Sequence, residues 1–340
     1  MPVAGPMSST AGGDAHLGPL LERLRESIPD YFPEIRDVGE VRVTGMCHRA
    51  YSDICRIAIG DGRRPRREVV LKIFQGAEAQ FRAMKAVWPY FASHPTWRIP
   101  RPLGWVEEGP ALVMETASGT PLQDRLPRIA WGGPWLRAAE ADCRRAGHWL
   151  RFYHDLGRTG QTAVLDVRRK WTDLEECLDQ LADAGFKGRL RARLVDCLRP
   201  LAERLAHRRL PVSHVHGEFT LDNVLVDANT VTALDLGAET RNVVDHDIAS
   251  FLNSLVFLRL TRPVPTAALR RLRQAFITGY FGDDQHDWIA TAFLQGTGLA
   301  DVALEIVRRR RSPVARAWLG YFLAGAIKLL EPSDGSCRGV

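Results

Sequence analysis

Hydrophobic and polar residues alternate along much of the first third of the chain, and this pattern predicts a small β-rich region. Residues 38–60 alternate between apolar and polar side chains, which predicts two strands joined by a loop at about 44–51. The apolar run at 68–74 predicts a third strand, and two shorter strands are expected around the turn at 107–109. We therefore expect a sheet in this part of the chain.

Apolar residues at helical spacing predict helices within and after that region. Two of them, at 17–30 and 76–91, fall among the predicted strands. Beyond residue 117 the predicted helices are 135–156, 171–183, 188–207, 246–260, 266–281, 287–295 and 300–330. The strands expected among these helices are one at 212–216 and a hairpin at 223–235.

These patterns together predict an α+β fold with two lobes and a cleft between them. The small β-rich N-terminal lobe is expected at 17–117 and a larger helical C-terminal lobe at 118–335. Residues 1–16 lack the basic and apolar regions of a signal peptide, so we expect a disordered tail there. No apolar run approaches the roughly 20 residues of a membrane span, so none is expected.

Composition and charge narrow the classes of partner. The net charge of +6 would permit a nucleic-acid partner, but no basic stripe is interleaved with aromatic residues, so we expect no nucleic acid. The six cysteines show no CxxC pair, which favours reduced thiols in a cytoplasmic protein. The run Arg308–Arg311 has two interpretations: it meets an anionic substrate, or it is a solvated helix face.

The stretch VHGEFTLDNVLVDANTVTALDLG, at 215–237, holds the polar groups that suggest chemistry. If its turn is centred on Asn229, Asn223 faces Asp235 across the hairpin, with Cβ atoms about 4.5–5.5 Å apart. Oxygen ligands at such spacing suit Mg²⁺. Glu218, on the loop before the hairpin, is placed to accept a proton from a substrate hydroxyl. The alternative is that these are ordinary turn and cap residues.

The order of these motifs resembles a known group. HGEFTLDNVLVD and TALDLG are similar to the catalytic and metal-binding motifs of the aminoglycoside phosphotransferase and choline kinase-like family, small-molecule relatives of the protein kinases. REVVLKIF resembles that family's lysine-bearing strand, IPRPLGWVEEGPALVMETASGTPL its hinge region and DHDIAS the start of its next helix. The resemblance covers roughly 35–255. It implies a bilobal protein kinase-like fold and transfer of the γ-phosphate of ATP, with Mg²⁺, to a hydroxyl of an aminoglycoside-like antibiotic, sugar or amino alcohol.

The resemblance also implies a role for each matching residue in holding the nucleotide and the metal. Lys72 would hold the α- and β-phosphates of ATP, with Glu78 on the next helix as its partner. Two alternatives remain for Glu78, which is solvated or pairs with Arg82 four residues later. Asn223 and Asp235 would bind Mg²⁺.

Further roles follow for the catalytic loop and the hinge. Glu218 would stand at the catalytic-base position, and His216 would brace its loop by hydrogen bonding. Backbone groups near Glu115 and Ala117 would meet the adenine. Asp247 would anchor the loop rather than take part in catalysis.

The sequence departs from the family pattern in ways that bear on activity. Glutamate stands at 218 where the family normally has aspartate, and it is one methylene longer. Either the loop has shifted so that Glu218 works, or catalysis has decayed and a nucleotide-binding pseudokinase remains. The survival of Lys72, Asn223 and Asp235 favours the active enzyme. Only eleven residues separate Asp235 from Asp247, which leaves little room for a peptide-docking activation segment and favours a small-molecule substrate.

Overall fold

The computed structural model describes residues 14–35, 37–49, 51–60, 65–107, 109–126, 133–185, 188–237, 241–261 and 264–309. The chain divides into two compact units, one of Met1–His94 with Ile99–Ala117 and one of Pro95–Arg98 with Ser118–Val340. The first unit is built on an antiparallel sheet and the second is mostly helical, which confirms the predicted α+β fold class. Most of the predicted tail lies outside the described residues.

The helices and strands have the following bounds. From the amino end to Glu115 they are α1 (Asp14–Tyr31), β1 (Glu40–His48), β2 (Asp53–Gly60), β3 (Pro65–Ile73), α2 (Ala77–Ser93), β4 (Trp97–Arg98), β5 (Pro102–Val106) and β6 (Ala111–Glu115). From Thr120 onward they are β7 (Thr120–Pro121), α3 (Leu122–Arg125), α4 (Gly133–Leu156), β8 (Thr162–Val164), α5 (Val167–Asp183), α6 (Gly188–Leu205), β9 (Arg209–His214), β10 (Val224–Val226), β11 (Val231–Ala233), β12 (Arg241–Val243), α7 (Asp245–Thr261), α8 (Thr266–Phe281) and α9 (Ile289–Arg309).

The sheet of the first unit separates two packed faces. Its strand order is β1-β2-β3-β6-β5, so β3 lies in the middle. Because side chains alternate along a strand, Val69 and Leu71 of β3 point to one face, where they are fully buried in a core that includes Leu24 and Ile28 of α1. Lys72 points to the opposite face. Its strand pairs with β2 on one side and with β6 on the other.

The first loop is shorter than the sequence suggested. Strand β1 continues to His48, where it still pairs with Asp53 of β2, whereas the alternation predicted a loop from residue 44. The register shifts between Val43 and Gly45. A glycine at such a shift lets the strand bulge and continue, which is why Gly45 did not mark a loop.

In the second unit, helices α4 and α8 cross at backbone contact. A Cβ atom added to Gly147 of α4 would lie 2.3 Å from the carbonyl oxygen of Phe276, and one added to Gly279 of α8 would lie 2.1 Å from that of Arg144. Glycine at both positions therefore lets the helices approach this closely. The crossing matters for the site because α4 also carries His154 and α8 carries Tyr280.

Helix α9 replaces two shorter predicted helices at 287–295 and 300–330, and residues beyond 309 lie outside the described chain. Among the described helices, one stretch, Ile289–Arg308, is long and apolar enough to cross a membrane, although the sequence pattern suggested none. Its window is 67% buried within the protein, as in a core helix. Arg308 of the arginine run donates to Gln180 at 2.6 Å, and Arg310 and Arg311 lie outside the described residues.

Candidate active site

The hairpin that follows the loop at 215–222 has a register one residue away from the predicted one. Val226 pairs with Val231 and Val224 with Ala233, so the turn is centred between Ala228 and Asn229. The reason is a four-residue turn in which the Asp227 carboxylate accepts three hydrogen bonds, from the amides of residues 229 and 230 and from the hydroxyl of residue 230. The expected direct pairing of Asn223 with Asp235 is therefore wrong.

Asn223 instead lies opposite Leu234, whose amide donates to the Asn223 carbonyl at 2.8 Å. Asp235 follows directly, with a φ of 57°, in the left-handed region. A single left-handed residue turns the chain sharply at the end of the strand. Asp235 is thus one residue past the hairpin in a conformation that costs a non-glycine residue about 1–2 kcal/mol. Such local strain is commonly found at functional sites.

The loop before the hairpin is held by one buried acid. Asp247, at the start of α7, is fully buried and accepts the backbone amides of His216 at 2.6 Å and Gly217 at 2.8 Å. Gly217 has a φ of 89°, which glycine adopts without the strain that a side chain would bring. The amide of Gly237 closes the other side by donating to the His216 carbonyl at 2.9 Å. The anchoring role expected for Asp247 is what these contacts show.

Glu218 and Asn223 are joined through the same loop. The side-chain amide of Asn223 donates to the Glu218 carbonyl at 3.0 Å, so the Asn223 Oδ1 atom is left as the acceptor of that side chain. The Glu218 side chain is exposed. A carboxylate of this kind, on a loop fixed at its backbone, is placed to act on a ligand from solvent.

His216 braces this loop by its backbone and by packing. Its ring is fully buried and meets Trp149 and Phe219 edge-on, with centroids 6.1 and 5.4 Å away. Neither ring nitrogen meets hydrogen-bond geometry with any described residue, although the Leu234 backbone lies close enough to raise the ring's pKa slightly. The hydrogen bonds by which His216 holds the loop therefore run through its backbone, and its ring packs against aromatic neighbours. Burial lowers the pKa of His216, and the carboxylates of Asp247 and Asp235 offset this only in part.

A buried chain of side chains extends from Asp247 away from the loop. His154 Nε2 lies 2.9 Å from the Asp247 carboxylate, and His154 Nδ1 lies 2.6 Å from the Tyr280 hydroxyl. A carboxylate only accepts, so the His154 proton at Nε2 donates to it, and Nδ1 then accepts from the tyrosine. Helices α4, α7 and α8 are thereby tied to the catalytic loop. Sequence reasoning missed His154 and Tyr280, because no local pattern links helices so far apart in the chain.

In the first unit, Lys72 is half-buried on β3, and its surroundings differ from the expected ones. Its Nζ atom lies 3.5 Å from Gln80 Oε1 of α2 and 4.5 Å from the centre of the Phe74 ring. Glu78, the expected partner, instead forms an ion pair with Arg82 one turn further along. The assignment of Glu78 to Lys72 is thus corrected. The alternative pairing with Arg82, left open by the sequence, is the one observed.

The segment expected to meet adenine closes the first unit. Glu115 forms an ion pair with Arg101 at 3.3 Å, and its amide donates to the Arg101 carbonyl at 3.0 Å. The amide of Thr116 donates to the Glu68 carbonyl at 3.4 Å. Two amides of this segment are therefore already used within the unit. Ala117, the last residue of the unit, is half-buried.

The donor set suits a hard cation that also binds phosphate. Asn223 Oδ1 and the Asp235 carboxylate are oxygen donors, both on half-buried residues in the second unit. Within the described ranges no group of three or more His, Cys, Asp or Glu side chains is arranged to hold a metal ion. Two protein oxygens with further ligands from substrate phosphates match the usual coordination of Mg²⁺ rather than an all-protein cage. The residues present therefore fit this ion.

Comparisons with known proteins identify the family and the fold of the chain. A family model described as "Phosphotransferase enzyme family" matches residues 56–290, which include all of the predicted site residues. No curated protein sequence matches the chain significantly.

Solved structures of similar fold include a glucosamine kinase, with a TM-score of 0.58 and 15% identity over 92% of this chain and 98% of that one. A choline kinase from Cryptosporidium parvum Iowa II gives 0.57 and 11%, over 90% and 94%. A thermostable mutant of aminoglycoside phosphotransferase APH(4)-Ia, in ternary complex with AMP-PNP and hygromycin B, gives 0.56 and 15%, over 91% and 99%.

Proposed function

Because this chain belongs to the phosphotransferase enzyme family, we propose that it transfers the γ-phosphate of ATP, with Mg²⁺, to a hydroxyl group of a small molecule. The observation that carries the proposal is the fixed loop of the second unit. Asp247 holds the amides of His216 and Gly217, and the next residue, Glu218, presents an exposed carboxylate. We propose a cytoplasmic location as well, and the free cysteines of the described chain support it.

Glu218 is the proposed base. Its carboxylate would accept the proton of the acceptor hydroxyl as the oxygen attacks phosphorus. The hydrogen bond from Asn223 to the Glu218 carbonyl keeps the base and a metal ligand at a fixed spacing along the loop. The side chain of Glu218 is one methylene longer than that of aspartate. On a loop fixed in this way, it would reach the acceptor through its choice of rotamer, without movement of the backbone.

Lys72, Asn223 and Asp235 would bind the nucleotide and its metal. The Asn223 amide oxygen and the Asp235 carboxylate would hold Mg²⁺, which neutralises negative charge on the phosphates when bound. Lys72 would bind the α- and β-phosphates as a point charge. The backbone near Glu115 and Ala117 would receive the adenine.

The acceptor is proposed as a class. Proteins of similar fold are a glucosamine kinase, a choline kinase and an aminoglycoside phosphotransferase in complex with hygromycin B. Amino sugars, amino alcohols and aminoglycosides are therefore the first acceptors to test. The nucleotide also needs a comparison of ATP with GTP, because another structure of similar fold, an aminoglycoside 2'-phosphotransferase-IIIa, is a GDP complex.

The experiment measures phosphoryl transfer from ATP and Mg²⁺ to a panel of these acceptors by ³¹P NMR and by ADP release. Glu218→Gln removes the base, and we expect the rate to fall about 10²- to 10⁴-fold with nucleotide affinity unchanged. Glu176→Gln removes an exposed carboxylate of α5 in the same unit and should keep the wild-type rate. Equal rates for Glu218→Gln and the wild type would reject Glu218 as the base.

A second function is favoured by specific differences from the family pattern. Glutamate replaces the usual aspartate at 218, and the residue of α2 that contacts Lys72 is Gln80 rather than Glu78. These differences suit a pseudokinase that binds nucleotide and a partner. The pseudokinase would be established if nucleotide binds but neither the wild type nor Glu218→Asp transfers phosphate to any acceptor. No nucleotide binding would reject both functions.

A further inference from the structure

We infer that two uncharged side chains, the Gln80 amide and the Phe74 ring, position Lys72 for the phosphates of the nucleotide. This inference rests on the proposed function, which assigns the phosphates to Lys72. It differs from the ion pair that the family resemblance implied. Its basis lies entirely within the first unit.

Gln80 occupies a position that would otherwise be apolar. The buried residues of α2 are Ala77, Gln80, Met84, Val87 and Phe91, and Gln80 is the polar member of this face, at 4% exposure. Burying an amide without a hydrogen-bond partner is destabilising. The Lys72 ammonium donates to Gln80 Oε1 at 3.5 Å, which gives this buried amide a polar partner. A leucine would also suit the packing of this face, and the amide oxygen adds a contact with the lysine that leucine would lack.

The ring of Phe74, which directly follows β3, contacts the same ammonium. Residues two apart on an extended chain point to the same face, so the Phe74 side chain follows that of Lys72. The Lys72 Nζ atom lies 4.5 Å from the centre of the ring. A cation at this distance over an aromatic face is attracted by the negative face of the ring. The ring restricts the ammonium without adding a negative charge.

Glu78 cannot take this role from where it stands on α2. The helix begins at Ala77, after Gly76 in the left-handed conformation with a φ of 94°. Residues two apart on a helix differ by about 200° around its axis, so Glu78 faces away when Gln80 faces the sheet. Glu78 is the sole carboxylate of α2 and pairs with Arg82. The start of the helix therefore decides that Gln80, and not Glu78, is the residue of α2 that meets the lysine.

Nucleotide binding separates the role of Gln80 in positioning Lys72 from a role in the fold. The change Gln80→Leu fits the apolar face of α2 but removes the acceptor. We expect the ATP dissociation constant to rise about tenfold and that of adenosine, which lacks phosphates, to stay within about twofold. Gln80→Glu keeps an oxygen acceptor and should restore ATP affinity. Glu78→Gln breaks only the exposed pair with Arg82 and should leave ATP affinity unchanged.

The ring has a matched control. Phe74→Leu should raise the ATP dissociation constant about threefold. Phe81→Leu removes a similar contact in the same unit, where Lys85 lies 5.5 Å from the ring, and should change nothing. Wild-type ATP affinity in Gln80→Leu would overturn the inference. An equal loss of ATP and adenosine affinity would also overturn it, because the fold rather than Lys72 would then be affected.

A second readout needs no nucleotide. Acylation of lysines followed by peptide mapping reports how exposed and mobile each ammonium is, and Lys85 serves as an internal reference. We expect Gln80→Leu to raise the labelling rate of Lys72 relative to Lys85 about threefold, and Gln80→Glu to return it to the wild-type rate. An unchanged ratio in Gln80→Leu would overturn the inference. If the wild type binds neither ATP nor adenosine, the proposed function fails, while this ratio still decides the positioning of Lys72.

Discussion

The carboxylate of Asp247 accepts the backbone amide of Gly217 at 2.8 Å, although the two residues are 30 positions apart. Its other oxygen accepts the amide of His216 at 2.6 Å. Because Gly217 directly precedes Glu218, these bonds fix the peptide from which the proposed base projects. Hydrogen bonds from amides and from His154 satisfy a charge that would otherwise be costly to bury.

This arrangement predicts how stability depends on pH. Burial alone would raise the pKa of Asp247, but the hydrogen bonds from His154 and from the His216 amide outweigh burial and hold the pKa below 3.8. The unfolded chain therefore binds the proton more readily, so the contribution of Asp247 is present above pH 3.8 and is lost as pH falls through the lower folded pKa.

We compare the wild type with Asp247→Asn by urea unfolding between pH 7 and pH 3. The difference in unfolding free energy should be constant at neutral pH. It should shrink by about 1.4 kcal/mol per pH unit once the pH is below the pKa of the Asp247 carboxyl in the unfolded chain. A difference that stays the same down to pH 3 would show that Asp247 keeps its ordinary pKa in the folded protein.

Tyr280→Phe tests the far end of the buried chain. The hydroxyl that donates to His154 Nδ1 is lost, and the ring keeps its place, so a buried acceptor is left without its partner. We expect unfolding to become easier by about 1–2 kcal/mol. Thermal or chemical unfolding measures this, with Tyr90→Phe, at a tyrosine 55% exposed on α2, as the control that should change stability by less than about 0.5 kcal/mol. Equal stabilities of the two variants would contradict a contribution from the chain.

Local pattern in the sequence located the longer helices and the strands of the first sheet, but it missed α3 and the short strands β4, β7, β8 and β12 and divided α9 in two. It failed where the outcome depends on a single-residue offset. The turn after β10 was predicted one residue too long, because the hydrogen bonds to the Asp227 side chain, and not the sequence pattern, choose a four-residue turn. Likewise, the start of α2 decides whether Glu78 or Gln80 faces Lys72, and helix starts are uncertain by a residue or two.

Arg145 of α4 holds the turn of the hairpin in place. Its guanidinium donates to the carbonyl oxygens of Asp227 at 2.9 Å and Thr230 at 2.7 Å, so one planar group spans both sides of the turn. Lysine cannot reproduce this fork. We expect Arg145→Lys to lower the unfolding free energy by about 1–3 kcal/mol, whereas Arg144→Lys, at an exposed position of the same helix, should be neutral. Matching stabilities would mean that the turn keeps its place without the fork.

Gly147→Ala tests the crossing of α4 and α8. The added methyl group would lie 2.3 Å from the Phe276 carbonyl oxygen and 2.8 Å from the Tyr280 amide nitrogen, so the helices must separate. We expect a loss of about 1–3 kcal/mol in unfolding free energy, with weaker burial of His154 beside the crossing. Gly188→Ala, with no atom within 4 Å of the added group, is the control and should be neutral or slightly stabilising. A stable Gly147→Ala would show that the helices can shift freely.

The position of His154 shows a second limit of sequence reasoning. Its two partners come from α7 and α8, 93 and 126 residues further along the chain. Neither the helical spacing of α4 nor the motif around Glu218 contains information on that meeting. The fold assembles it, and a single histidine on a helix is by itself consistent with many roles.

The strain at Asp235 leads to the last prediction. Its φ of 57° favours glycine over any residue with a Cβ atom, while the proposed role in binding Mg²⁺ requires the carboxylate. We therefore expect the free energy of unfolding of Asp235→Gly to be about 1 kcal/mol higher than that of Asp235→Ala, although both lack the carboxylate. ATP at 100 times its dissociation constant should stabilise the wild type by about 2.7 kcal/mol. Both variants should lose the part of this stabilisation that depends on Mg²⁺.

Urea unfolding compares the two variants, and thermal shift with ATP, with and without Mg²⁺, measures the second effect. Asp235→Asn serves as the matched control, because asparagine tolerates the left-handed conformation yet carries no charge. If Asp235→Ala is as stable as Asp235→Gly, the left-handed backbone is not a constraint of the folded chain. If either variant keeps the Mg²⁺-dependent shift, the metal is held elsewhere, and the strained backbone at Asp235 would need another explanation than metal binding.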